Sequence, residues 1–189
     1  MASTLMALTY TPPADLGSNC PDFSLIGVDR KVHKLSDFKS AKALCVMFLC
    51  NHCPYVTAIE ARIILLAREL MKKGVHFVAI CSSDSGDFPD DSVEQMRQRA
   101  KERNYPFVYL HDETQEMARK FDAVCTPDFF VYDDMLKLRY RGRFDDSWKD
   151  AKNVQHEELK TAILEIISGK TPTREQKASM GCSIKWKAK

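Results

Sequence analysis

The feature that most constrains the fold is an apolar segment, residues 43–49, in which seven apolar side chains follow one another. A strand with one wet face alternates polar and apolar residues, whereas a strand covered on both faces is apolar throughout. The segment therefore predicts an inner strand of a sheet that has helices on both faces. From Pro54 onward apolar residues recur at helical spacing as far as Gly74, where two lysines and the glycine form a stop signal. Strand, short loop and long helix are thus predicted in immediate succession.

The rest of the chain supplies the other elements of one α/β domain. Residues 22–26 and 32–35 flank a turn-like segment and predict an N-terminal β-hairpin. Further strands are predicted at 75–81, 107–110, 129–132 and 136–141, and further helices at 93–100, 113–121 and 159–166. We predict a single domain, residues 1–189, with a central mixed β-sheet flanked by helices and a flexible C-terminal tail from about residue 170.

Charge and the two ends of the chain narrow the classes of function. The net charge of +2 creates no strong field for nucleic acid or acidic membranes, and the basic residues 185–189 read as a solvated terminus. Residues 1–10 lack the pattern of a secretory signal, and no segment has the length of a membrane span. We expect a cytoplasmic protein without nucleic-acid or membrane partners. Its seven cysteines then serve as thiols, catalytic groups or metal ligands rather than as a disulfide framework.

Two cysteines, Cys50 and Cys53, lie in the loop between the inner strand and the long helix. Their spacing allows a disulfide between them. Pro54 suits the first helical position, which places Cys53 at the N-cap, where the N–H groups of Tyr55 and Val56 and the helix dipole stabilise a thiolate. Cys50 lies outside that first turn. The pattern predicts a redox pair in which Cys53 attacks and Cys50 resolves.

Other interpretations of these residues remain open. The pair resembles half of a zinc site, but no second pair of ligands stands at a matching distance. His52 together with the two thiolates would make a soft copper site, and two inert cysteines are the remaining alternative. As an imidazolium, His52 would favour a neighbouring thiolate. Glu60 could relay protons from the helix, although a solvated side chain is the default for that position.

The other cysteines carry weaker signals. Cys45 and Cys81 lie in apolar strands and are predicted to be core residues. Cys20 precedes a proline in a loop and is expected to be exposed. Cys125 is either an auxiliary thiol close to the site or a core residue. Cys182, on the predicted tail, either folds back to resolve an oxidised Cys53 or packs without a chemical role.

Several segments resemble the thioredoxin superfamily. The resemblance is carried by Phe48-x-x-x-x-Cys53 with its following helix and by Thr126-Pro127 before a Phe-rich strand. It implies a thioredoxin-like fold in which a cis Pro127, supported by Thr126, faces the redox cysteines. Residues 20–25 and 35–38 are similar to the opening of the alkyl hydroperoxide reductase and thiol-specific antioxidant branch. The chain also resembles an uncharacterised peroxiredoxin-like family, at residues 51–56, 140–142 and 181–187.

The chain departs from both of the motifs that this resemblance suggests. In the peroxiredoxin motif Pro-x-x-x-Thr-x-x-Cys, with Cys53 as the peroxidatic cysteine, Val46 replaces the proline and Cys50 the threonine. Pro127 falls at the place of the peroxiredoxin arginine. In the thioredoxin register, Val56 stands where the second cysteine belongs. The site is a hybrid of the two.

The resemblance implies an antioxidant thiol-disulfide oxidoreductase without cofactor or metal. It would cycle Cys50 and Cys53 between dithiol and disulfide on a disulfide substrate, with electrons from a thioredoxin-type reductant or glutathione. The alternatives are a peroxiredoxin-like peroxidase acting on peroxide through Cys53, and a non-catalytic redox sensor or soft-metal carrier.

Overall fold

The computed structural model describes residues 8–188, which form ten strands, four helices and three short 3-10 turns. The strands are β1 (Leu8–Tyr10), β2 (Ser24–Gly27), β3 (Val32–Lys34), β4 (Ala43–Phe48), β5 (Val75–Cys81), β6 (Val108–His111), β7 (Cys125–Thr126), β8 (Asp128–Asp133), β9 (Leu138–Gly142) and β10 (Met180–Ser183). The helices are α1 (Pro54–Met71), α2 (Val93–Glu102), α3 (Glu116–Lys120) and α4 (Glu158–Ile167). The 3-10 turns are Leu35–Phe38, Pro89–Asp91 and Ala151–Asn153. No helix within this range combines the length and apolar character needed to cross a membrane.

Seven strands form the main sheet in the order β3-β2-β6-β5-β4-β8-β9. β4 pairs with β5 and β5 with β6 in parallel, whereas the other pairs are antiparallel. The predicted N-terminal hairpin is present as β2 and β3, with Ile26 opposite Val32. A mixed sheet flanked by helices is the fold class that the sequence predicts, and the prediction is confirmed.

The position of β4 inside the sheet explains why its sequence is apolar throughout. All six of its side chains are buried. Alternate residues face opposite layers: Ala43, Cys45 and Met47 pack into a cluster that includes side chains of α1 and α4. The three residues that alternate with them, Leu44, Val46 and Phe48, pack into a second cluster with side chains of α3. Both faces are therefore covered, as the run of apolar residues predicts.

The end of the chain differs from the flexible tail that the sequence predicts from about residue 170. β10 lies between β1 and β7 in a second, three-stranded sheet. Ile184, just beyond the strand, is buried, and its N–H donates to the Val124 carbonyl at 2.9 Å. The strand has no alternating pattern of its own. Its partners lie far away in the sequence, which is why local reasoning misses it.

Three cysteines away from the candidate site are core residues. Cys45 and Cys81 are fully buried, as predicted, and burial raises the pKa of both thiols. The expectation of an exposed Cys20 is wrong. Its side chain packs in the same core cluster as Phe23, its N–H donates to the Leu136 carbonyl at 2.9 Å, and burial raises its pKa to about 12.

Candidate active site

The loop between β4 and α1 carries the cysteine pair. Cys53 has an extended backbone, with φ −77° and ψ 119°, and is followed directly by Pro54 as the first residue of α1. Its carbonyl accepts a hydrogen bond from the Thr57 N–H at 3.0 Å. This is the geometry of a helix N-cap followed by proline at the first helical position. The structure places Cys53 where the sequence predicts it.

The surroundings of the Cys53 sulfur favour the thiolate. A hydrogen bond from the Cys50 thiol is the largest of the effects that lower its pKa to about 5. The Thr126 side chain and the backbone N–H groups of Cys182 and Val56 lower the pKa further, and Val56 is one of the two donors predicted from the sequence. Burial acts in the opposite direction. As a thiol, Cys53 donates to the Thr126 carbonyl at 3.1 Å. The hydrogen-bond donors outweigh burial, so the pKa of Cys53 is lowered from its ordinary value.

The Cys50 sulfur has the opposite character. Burial raises its pKa well above the usual range, and the hydrogen bond that it donates to Cys53 and the charge of Asp91 raise it further. Its Sγ also lies 3.2 Å from the Thr126 hydroxyl oxygen. The two sulfurs therefore lie in different surroundings, although only two residues separate them.

Asp91 is the site residue that the sequence analysis did not identify. It is fully buried at the end of the turn Pro89–Asp91. Its Oδ1 accepts the backbone N–H of Asn51 at 2.6 Å and that of His52 at 3.3 Å, while Oδ2 accepts a hydrogen bond from the His52 ring through Nδ1. Because this turn lies about forty residues beyond the cysteines in the chain, no local motif connects them.

The His52 ring lies between this carboxylate and the cysteine pair. Its Nε2 is 4.0 Å from the Cys50 Sγ, and the Phe88 ring stacks on it with a centroid distance of 4.5 Å. The sequence suggested that His52 acts as a cation on a thiolate. In the structure its ring nitrogen contacts Cys50, the cysteine whose pKa is raised by burial.

The same three residues, Cys50, His52 and Asp91, each place one donor atom within 4.8 Å of the other two, a spacing compatible with a metal ion. The Asp91 carboxylate, however, already accepts two backbone N–H groups and the His52 ring. The cluster is therefore satisfied as a hydrogen-bonded chain, and we assign no metal to it.

Opposite the cysteines lies the Thr126–Pro127 peptide, which is cis, as the resemblance implies. Thr126 contacts both sulfurs, Cys50 through its hydroxyl and Cys53 through its carbonyl. Across from it, packing requires glycine at position 181, because a Cβ on Gly181 would lie 2.0 Å from the Thr126 carbonyl oxygen. Only glycine lets β10 approach this peptide so closely.

Strand β10 brings a third thiol to the site. Cys182 pairs in register with Thr126 and is almost fully buried. Burial, then the charge of Cys53, then the hydrogen bond that Cys182 makes to Cys53 raise its pKa to about 12. Cys125, the other auxiliary candidate, is fully buried, and burial raises its pKa. Among the effects that shift the pKa of Cys125, Cys53 acts only through its charge.

Glu60 differs from its expected role. The side chain is buried rather than solvated and accepts hydrogen bonds from Arg99 Nε at 2.7 Å and from the Tyr105 hydroxyl at 2.5 Å. Arg103 forms a second ion pair with it at 3.3 Å. These contacts join α1 to α2 and the segment that follows it, so the structure indicates a structural role.

An open cavity of about 280 Å³ adjoins the cis proline. It is lined by Tyr55, Ile59, Pro127, Phe144, Trp148 and Met180, among others. The rings of Tyr55 and Trp148 lie 4.3 Å apart between centroids. Since the Cys53 side chain itself is fully covered, a substrate bound in this cavity reaches the sulfur only if neighbouring side chains move.

Comparison with known proteins gives the family. The sequence model of the redoxin family matches residues 15–162. No functionally curated protein matches the chain. An uncharacterised conserved protein from Geobacillus kaustophilus has 44% identity and a TM-score of 0.93, over 97% of this chain and 98% of that chain.

Two further solved structures are similar. A hypothetical protein from Sinorhizobium meliloti 1021 has 36% identity and a TM-score of 0.92, and the alignment covers 96% of this chain and 100% of that chain. Peroxidoxin BcpB from Mycobacterium tuberculosis has 20% identity and a TM-score of 0.58, over 71% of this chain and 88% of its own, and shows the fold alone.

These matches agree with the site described above. The redoxin-family match across most of the chain supports a thiol-dependent oxidoreductase in general terms. The chain belongs to the redoxin family.

Proposed function

We propose that this protein is a thiol-disulfide oxidoreductase that cycles Cys50 and Cys53 between dithiol and disulfide. The observation that carries the proposal is the geometry of the two sulfurs: Cys53 lies at the N-cap of α1, where hydrogen bonds lower its pKa, and Cys50 lies before the helix with its Sγ 3.2 Å from the Thr126 hydroxyl oxygen. A thiolate is the nucleophile in exchange, and the second thiol need ionise only when it resolves the intermediate.

In the first step the Cys53 thiolate attacks a substrate disulfide, forms a mixed disulfide and expels one substrate thiolate. In the second, the Cys50 sulfur attacks Cys53 Sγ, forms the Cys50–Cys53 disulfide and releases the other substrate thiolate. The substrate has gained two electrons and the pair has lost two. We propose that a dithiol of the thioredoxin type, or glutathione, reduces the pair again. A cytoplasmic location, where such reductants are abundant, is part of the proposal.

The cavity beside Pro127 supports a role in substrate binding. Its aromatic and aliphatic lining suits an apolar side chain flanking the substrate disulfide. Since the Cys53 sulfur is covered, an extended peptide or a small disulfide is a better substrate than a disulfide held rigidly in a folded protein.

A second candidate function is a peroxiredoxin-like peroxidase. Cys53 is fully covered, and hydrogen peroxide requires a smaller displacement of the covering side chains than a disulfide does, which favours the alternative. The Cys53 thiolate would displace hydroxide from the peroxide to give a sulfenic acid. Cys50 would then condense with it, forming the disulfide and water. Since Val46 and Cys50 replace the proline and threonine of the peroxiredoxin motif, we expect slow turnover.

The test measures insulin disulfide reduction and peroxide consumption side by side with a thioredoxin reducing system present. Cys53→Ser should abolish both activities. Cys20→Ser, at a buried cysteine outside the site, is the matched control and should retain both. Wild-type protein that reduces only peroxide would favour the second candidate. Protein that does neither, but binds a soft metal stoichiometrically with thiolate charge-transfer absorbance, would favour the non-catalytic carrier.

A further inference from the structure

Two side chains beside the redox pair, His52 and Asp91, form a continuous chain of polar contacts with Cys50. The Cys50 Sγ lies 4.0 Å from His52 Nε2, and His52 donates through Nδ1 to the Asp91 carboxylate. The order thiol, imidazole, carboxylate is one in which the imidazole can take a proton from the sulfur while the carboxylate fixes the ring.

The His52 ring is held in one orientation. Asp91 is fully buried, and its other oxygen is fixed by the N–H groups of Asn51 and of His52 itself. A carboxylate is an acceptor, so the proton of the ring lies on Nδ1. That tautomer leaves Nε2 as an acceptor directed at the Cys50 sulfur. Phe88, stacked at 4.5 Å, restricts the ring on its face.

The second step of the proposed reaction needs a proton acceptor. Cys50 is a buried thiol, and its proton must leave when the sulfur attacks Cys53. The other titratable and charged groups that face this region are Cys53, Cys81, Tyr109, Arg99 and Lys185. Cys53 is bonded to the substrate at that moment, burial raises the pKa of Cys81 and Tyr109, and Arg99 and Lys185 are cations. Of the groups described, His52 is the base in contact with the sulfur.

We propose that His52 is the general base that takes the proton from Cys50 during resolution, and that Asp91 is the residue that positions it. The inference rests on the proposed function. As the Cys50–Cys53 bond forms, the proton moves from Cys50 Sγ to His52 Nε2, and the bond between Cys53 and the substrate sulfur breaks. The departing substrate thiolate then takes the proton from His52, which returns to its neutral form.

The experiment separates the two steps with a dithiodipyridine, whose disulfide releases one coloured thiopyridone at each step. Stopped-flow absorbance gives a first phase for attack by Cys53 and a second for resolution by Cys50. A chelator is present throughout, and peptide mass spectrometry confirms which cysteines have reacted. Cys50→Ser defines the signal without a second phase.

We expect His52→Gln to slow the second phase about a hundredfold at neutral pH and to leave the first within about twofold. The second phase of the wild type should change little between about pH 7 and 9, whereas that of His52→Gln should rise about tenfold per pH unit as hydroxide removes the proton. Asp91→Asn should slow the same phase about tenfold or more, because the ring loses its fixed tautomer. A purely structural role of His52 would produce neither this change in pH dependence nor a selective loss of the second phase.

The matched control is His33→Gln, since His33 also pairs with an aspartate, Asp29 at 3.0 Å, but contacts no thiol. It should leave both phases unchanged. An unchanged second phase in either His52→Gln or Asp91→Asn overturns the relay, as does an equal loss in both phases. If the wild type itself shows no second phase and no Cys50–Cys53 disulfide, the proposed function has failed and the relay with it. If His52→Gln does not fold, Asp91→Asn decides the question by the same two phases.

Discussion

Two regions of the molecule bring a second thiol to Cys53, and they do so in different ways. The loop of residues 49–53 delivers Cys50 from three positions earlier in the chain, whereas β10 delivers Cys182 from the far end through pairing with β1 and β7. Both thiols are buried, and both have a raised pKa. Cys50, however, contacts the His52 ring, whereas Lys185 is the group that lowers the pKa of Cys182, through its charge.

Proximity to Cys53 does not by itself make a thiol a resolving cysteine. A resolving thiol must lose its proton and bring its sulfur to the mixed disulfide. Cys50 lies in a loop and has a base beside it. Cys182 lies in a strand held on both sides, and its hydrogen bond stabilises the Cys53 thiolate instead. The following predictions test this division of roles.

The largest expected effect is the loss of resolution in Cys50→Ala. We expect disulfide reductase turnover to fall at least about a hundredfold, because the mixed disulfide at Cys53 is no longer resolved efficiently. Steady-state turnover and mass spectrometry of the trapped adduct measure this. Rapid formation of a Cys53–Cys182 disulfide in the variant, with turnover preserved, would reverse the roles of the two regions.

Next in size is the effect of crowding β10. Gly181→Val should lower the free energy of unfolding by about 2 kcal/mol or more, because a Cβ there would lie 2.0 Å from the Thr126 carbonyl oxygen. Urea denaturation measures the change. Gly86→Ala is the control, since its Cβ meets only a flexible Asp84 oxygen at 3.3 Å, and it should stay within about 0.5 kcal/mol of the wild type. Equal losses in the two variants would argue against tight packing of β10.

A smaller effect concerns the acidity of Cys53. Its alkylation rate should fall as the pH drops through about 5, the pKa of the folded thiol, because only the thiolate reacts. Cys50→Ala removes the largest stabilising donor, so this midpoint should rise by about one pH unit, equivalent to about 1.4 kcal/mol. Cys53→Ser supplies the companion measurement, in which Cys50 should be alkylated only at alkaline pH. A lower pKa for Cys50 than for Cys53 would return the site to the ordinary thioredoxin register.

The smallest effect is expected at Cys182. Cys182→Ala removes one side-chain contact to Cys53 but leaves the backbone N–H that also stabilises the thiolate, so turnover should stay within about threefold of the wild type. Steady-state kinetics of both disulfide reduction and peroxide consumption test this. A loss as large as that of Cys50→Ala in peroxide consumption alone would assign Cys182 to the resolution of a sulfenic acid.

The inner strand of the sheet and the N-cap position of Cys53 could be predicted from local sequence patterns. A continuous apolar segment predicts β4 as a strand covered on both faces, and Cys53 followed by Pro54 predicts the N-cap. These features depend on side-chain periodicity and on the conformational limits of neighbouring residues. Both are local properties that a linear sequence records directly.

What surrounds the cysteine pair depends on tertiary packing. Asp91 reaches His52 because the turn Pro89–Asp91 lies against the loop, and Cys182 reaches Cys53 because Gly181 lets β10 approach the Thr126 carbonyl. Contacts between residues so far apart in the chain depend on the packing of whole elements, and no spacing of residue types encodes them. The N-cap position of Cys53 could therefore be predicted from the sequence, but the groups that surround the cysteine pair could not.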